Sequence, residues 1–210
     1  MKKVSIYLTT AAMAVLLSSC GSSGKIIIPT SRTLPGIDDN YTVVWVGSEE
    51  SYVYVDGKYQ RSESNDYAFE VIQRRYGHTW KSIKNMHRIH PDYNGKAGSR
   101  EHTMYFEIAF SKQGDQIVSK VNSSLGSGTG ASDNEFREQT MQFSAEGVSS
   151  FAPYNTYRIT QHYKYEEGRL LETVELFKLE EGKETPFVKI EEKATIFRPT
   201  KLNGAPTKFE

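Results

Sequence analysis

The 210-residue chain has a single cysteine, no net charge at neutral pH and no apolar run long enough to span a bilayer. Each shortage excludes something. One cysteine, at position 20, forms no internal disulfide, so packing must hold the fold. With 26 basic against 26 acidic residues there is no electrostatic footprint for nucleic acid, and none is expected as a partner. The marks of common chemistries are missing too. There is no G-x-S-x-G elbow, no H-E-x-x-H helix, and no arrangement of Ser, His and Asp that singles out a triad. The run Leu125-Gly126-Ser127-Gly128-Thr129-Gly130 lacks the Gly-Lys-Ser/Thr ending of a phosphate cradle. Ser123 to Asn134 therefore reads as a flexible Gly/Ser loop, whose one expected task is that of a lid over a cavity mouth.

What is present begins with the leader. Lys2 and Lys3 precede an apolar stretch from Ala11 to Leu17, which leads through Ser18 and Ser19 to Cys20. A positive start and a short hydrophobic region make a secretory signal. Leu17-Ser18-Ser19-Cys20 resembles the lipobox of bacterial lipoproteins, and the resemblance is confined to this leader. It implies cleavage before Cys20, acylation of Cys20, and a lipid anchor for everything that follows. Two or more acyl chains, at about 0.8 kcal/mol per buried CH₂, hold a domain firmly on a bilayer. Gly21, in place of an acidic residue, implies the outer membrane, and the lack of an acidic run after Cys20 implies its periplasmic face.

The expected plan is a signal peptide over 1–19, lipidated Cys20 with a flexible tether to residue 40, one domain over 41–198, and a loose tail over 199–210. Within the tether, Ile26-Ile27-Ile28 reads as an edge strand docking on the domain, with a sticky patch near the membrane as the alternative. Without Lys2 and Lys3, acidic residues outnumber basic ones by two. The chain carries 13 Tyr and 10 Phe beside a modest apolar fraction, so its core must lean on rings, which suits half-buried sheets.

Tyr41 to Val46 reads as a buried strand. Ser51–Val55 and Lys58–Arg61 flank Asp56-Gly57, the strongest hairpin signal in the chain. After Ser64-Asn65-Asp66, the residues Phe69, Ile72 and Tyr76 recur at helical spacing up to Gly77, which predicts a short helix. Trp80, Ile83, His87 and His90 continue that phase until Pro91. His102 to Lys112 alternates as a strand, turns at Gln113-Gly114-Asp115, and returns over Gln116–Asn122. Ser132-Asp133-Asn134-Glu135 resembles a capping box, and the segment to Gly147 fits helix and strand equally. The last third reads as three antiparallel strands, turning at Glu167-Gly168-Arg169 and Glu181-Gly182-Lys183. The expected fold is mainly β, an antiparallel meander or small barrel with one or two short helices, with α+β as the alternative.

Among candidate sites, His87, His90 and His102 with Asp92 are the one cluster of metal-ligand types. Two imidazoles three apart converge on a helix face, but the third ligand must cross a loop, so no metal or other cofactor is expected. Glu166-Glu167, Glu180-Glu181 and Glu191-Glu192 read as solvated faces rather than a facing carboxylate pair. Trp45 and Trp80 read as core, and Tyr157, Tyr163 and Tyr165 as candidates for a ligand-binding surface. The expected function is a lipid-anchored periplasmic binding protein holding an apolar or amphipathic ligand. Its rivals are an assembly partner of an outer-membrane complex and a hydrolase of envelope glycans.

Overall fold

Period-two alternation broken by Gly-containing turns gives strands, and here enough of them follow one another to close a wall. The computed structural model describes residues 40–76, 78–95, 99–145 and 154–197. The leader with Cys20, the tether with Ile26–Ile28 and the tail over 199–210 lie outside them. The strands are β1 (Asn40–Val55), β2 (Lys58–Arg61), β3 (Tyr67–Tyr76), β4 (Thr79–Arg88), β5 (Glu101–Gln113), β6 (Gln116–Ser123), β7 (Gly126–Ser132), β8 (Glu138–Ser144), β9 (Thr156–Lys164), β10 (Arg169–Glu180) and β11 (Lys183–Ile196).

From β3 onward each strand pairs antiparallel with the next, and β11 closes back on β1. Sixteen-residue β1 serves both flanks. Asn40–Ser48 pairs with β3, and Trp45–Val53 pairs with β11. Short β2 pairs with the last four residues of β1, Tyr52 to Val55, on the β3 side, so β2 and β3 share one wall position interrupted at Ser62–Asp66. The result is a closed ten-position antiparallel barrel. Closure leaves no long edge for another chain to pair with.

Inward positions divide the interior into two halves. In the lower half Trp45, Trp80, Phe110, Phe136, Tyr163 and Tyr165 form a solid plug. Trp80 meets Phe110 edge-on at 4.8 Å, Phe136 meets Phe110 at 4.9 Å, and Tyr163 stacks on Tyr165 at 5.4 Å. Fully buried Arg75 lies 3.7 Å from the Trp80 ring centroid and donates to Gln73 and to the Tyr165 hydroxyl. Phe136 takes a positive φ of 55°, with its ring packed against Trp80 and Phe110 in the plug, and its carbonyl accepts from Tyr165. The described chain enters this end at Asn40 and leaves it at Phe197, whose N–H bonds the Val44 carbonyl. The upper half is hollow.

Mainly-β and barrel are what the sequence predicts; the short helices are not found. The described residues hold no α-helix, only two 3₁₀ turns at Glu63–Asn65 and Tyr165–Glu167. The helix predicted after Ser64 is β3. Its inward set is Tyr67, Phe69, Val71, Gln73 and Arg75, and the two polar members mask the alternation. The phase that carries Trp80 to His87 is β4, with Trp80, Ser82 and Lys84 buried. The capping-box segment turns instead of starting a helix. Asp133 accepts the N–H groups of Arg137 and Glu138, and β8 follows.

The predicted Gly/Ser loop is strand β7. Its glycines 126, 128 and 130 face inward and Ser127 and Thr129 outward. A Cβ on Gly128 would lie 2.1 Å from the Gln142 carbonyl oxygen, so this wall position has no room for a side chain.

The outer wall is built for water. It carries ion pairs such as Lys81–Glu107 at 3.0 Å, Arg158–Glu175 at 3.5 Å and Lys189–Glu191 at 2.7 Å. Charges at mid-height are costly on a lipid-facing barrel.

Candidate binding cavity

The upper half encloses a cavity of about 460 Å³, within the range of small-molecule pockets. Its walls are apolar, from Val53, Met104, Phe106, Leu125, Ile159, Val174, Leu176, Val188 and Ile190 on the inward phase of five strands and one turn. Tyr157 supplies an aromatic panel, stacked on Phe143 at 4.3 Å, with its hydroxyl 3.2 Å from Ser123 Oγ. Burial pushes that hydroxyl's pKa up, so it stays a neutral phenol. Exposed Ser99, Arg100 and His102 mark the mouth.

The base is charged. Lys84, Glu172 and Glu192 project inward from β4, β10 and β11, and none is more than 9% exposed. Lys84 Nζ bonds both Glu192 oxygens and lies 3.4 Å from Glu172. The Tyr67 hydroxyl donates to Glu192, and Gln161 donates to Glu172 at 2.5 Å. The lone pairs and protons of the three charges thus have partners, as burial requires. Burial holds Glu192's pKa up against the opposing pull of Lys84. Burial alone would drag the ammonium of Lys84 down, but Glu192 and Glu172 outweigh it and leave a net rise.

On β1, in register with Glu192, Glu49 is 4% exposed and accepts from Ser51 Oγ at 3.0 Å. Burial raises its pKa to about 8, so it is largely protonated at neutrality. Arg88 lies 3.8 Å from it and donates to the Asn65 carbonyl. Arg100 donates to the carbonyls of Arg88 at 2.9 Å and of His90 at 3.0 Å. Both guanidiniums sit over the buried Tyr93 ring, at 5.4 and 5.6 Å.

Of the three predicted tyrosines, Tyr157 lines the cavity, whereas Tyr163 and Tyr165 belong to the plug. Trp45 and Trp80 are core. The histidines diverge, because β4 is a strand. His87 faces outward toward Glu101, His90 lies in the following turn near Asp92, and His102 faces the mouth. Among the described residues no three His, Cys, Asp or Glu side chains converge as a metal shell. Glu192, read from the sequence as solvated, is buried against Lys84. Glu172 is its cross-strand partner, so two carboxylates do face one interior. Lys84 bridges them, which leaves no gap for a glycosidic bond.

Lys84, Glu172, Glu192, Arg88 and Arg100 are the residues that sequence reasoning missed. The available signal was a charge on the inward phase of an alternating run: Glu172 between Leu170 and Val174, and Glu192 between Ile190 and Ala194. On the outer wall, Ile72, Ile83 and Tyr105 form an exposed row across three strands. The row is one residue high. Glu70, Asn85 and Thr103 bound it on one side, Arg74, Lys81 and Glu107 on the other. Neither a family model nor a curated protein matches the chain, so the cavity's own chemistry carries the functional reading.

Proposed function

We propose that this protein is a lipid-anchored binding protein of the cell envelope, holding one small apolar or amphipathic molecule in the open half of its barrel. The observation that carries this is the contrast between the two halves. One is filled by stacked rings, while the other keeps a cavity of about 460 Å³ with apolar walls. Emptiness on that scale is not forced by the fold, because the same strands pack the lower half solid. Burying an apolar chain there gains about 25 cal/mol for each Å² removed from water. The anchor at Cys20 and the periplasmic face of the outer membrane belong to the same proposal, supported by the lipobox-like leader. An assembly role has less support, since the outer apolar row is too narrow for a stable interface of about 800 Å² per partner.

The test of the cavity uses N-phenyl-1-naphthylamine, a neutral fluorophore that brightens in apolar surroundings. One molecule per chain is expected to bind, and Val174→Trp, which fills the cavity, is expected to lose it. Equal binding by the variant places the site elsewhere and overturns the reading. For the anchor, Cys20→Ala is expected to release the protein from membranes in high salt. Continued membrane fractionation overturns the lipid attachment.

A further inference from the structure

We infer that the ligand is a single-chain amphiphile with an anionic oxyacid head, a carboxylate or a phosphate, seated between Arg88 and Arg100 at the mouth with its chain pointing inward. The inference rests on the cavity reading and adds the head to it. Arg88 and Arg100 meet as neighbours at the start of the β4–β5 pairing, where the Arg88 N–H bonds the Arg100 carbonyl at 2.8 Å. Both line the cavity, and both are propped on Tyr93. Their hydrogen bonds go to carbonyl oxygens, which orient a guanidinium without cancelling its charge. Of the nearby acids, Asp66 is taken by Arg61 in a two-bond pair, while Glu49 accepts from Ser51 and stands 3.8 Å from Arg88 without a direct hydrogen bond to it. Arg88, 3.8 Å from Glu49, and exposed Arg100 thus stand side by side at the opening, where guanidiniums match oxyacids in planar, two-bond geometry.

The opposite orientation, with a cationic head at the base, is disfavoured by the same kind of accounting. Glu172 and Glu192 already share the Lys84 ammonium and have Gln161 and Tyr67 as donors. An amine would have to displace a bonded lysine and pass two arginines first. Between mouth and base the lining is Met86, Met104, Phe106, Val174, Leu176 and Ile190, which suits a chain.

The experiment is calorimetric titration of the whole protein with decanoate, decyl phosphate, decanol and decylamine below their micellar concentrations. At least one of the two anions is expected to bind about tenfold or more tightly than decanol. The tighter of the two names the head. In Arg88→Gln/Arg100→Gln that preference is expected to fall below about threefold while decanol keeps its affinity, which also shows the variant is folded. Arg100→Gln alone, at an exposed side chain, is expected to lose part of the preference and serves if the double variant does not fold. Decanol or decylamine binding as tightly as the anions, or a preference that survives both variants, overturns the anionic head and leaves the cavity reading standing. No binding of any of the four by the wild-type protein overturns both.

Discussion

Lys84→Met is expected to destabilise the protein by about 3–5 kcal/mol at neutral pH, the cost of leaving buried charge without its partner. The variant keeps the side chain's length beneath Phe69, whose ring centroid lies 4.6 Å from Nζ, and removes only the ammonium. Glu192 and Glu172 then face each other across the wall with no cation between them. Two results separate this account from simple loss of packing. Lys84→Met/Glu172→Gln/Glu192→Gln should recover most of the loss, since a neutral set has no uncompensated charge. The single variant's deficit should also shrink toward pH 5, where Glu192, its pKa raised by burial, takes up a proton. Urea unfolding read at constant m-value measures all of these. A deficit below about 1 kcal/mol at pH 7, or one that the triple variant deepens, overturns the role given to Lys84.

Stability itself is expected to fall as pH rises from about 5 to about 9. Glu49 titrates near its ordinary value of 4.5 in the unfolded chain and at about 8 in the barrel, so the folded protein holds a proton that the unfolded chain releases. A carboxyl raised in this way contributes stability that is fully present below about 4.5 and is lost as pH passes about 8. Glu192 is shifted in the same direction by burial and adds to the slope. Around Glu49, the cation of Arg88 favours ionisation, while Asp66 and Glu192 oppose it. Exposed Glu166, held down to about 2 by Arg137, acts only below this window and is screened by solvent. Urea midpoints at pH 5, 7 and 9 should therefore descend for the wild type and descend less for Glu49→Gln. A midpoint that climbs over this range, or parallel profiles for the two proteins, contradicts the buried acids as placed here.

Local signals made the barrel's turns and many of its strands legible. Asp56-Gly57, Gly114-Asp115 and Glu181-Gly182 supply the positive φ that their hairpins need, and alternation in β5 and β9 is unbroken. The misread strands share a cause. β3 and β4 place Gln73, Arg75, Ser82 and Lys84 inward, so the apolar alternation that identifies a strand is missing. Phe69, Ile72 and Tyr76 then match a helix by coincidence. β7 puts glycine at inward positions 126, 128 and 130, so little betrays its period, because the neighbouring strand takes that space. The site was hidden for the same reason. A charge in an alternating run reads as facing water until closure of the sheet shows which face is inside, and closure depends on β1 meeting β11 from the far end of the chain. Of the predicted ligand residues only Tyr157 reaches the cavity, since Tyr163 and Tyr165 lie lower on the same inward ladder.

Both ends of the described chain sit at the plugged end, and this gives the molecule a polarity. The barrel is a cup whose floor carries both Asn40 and Phe197, with the open rim at the opposite end. Under the anchor proposed above, attachment is on the floor side and the mouth is left clear. The length of chain ahead of Asn40 then sets how far from a proposed anchor the rim can reach.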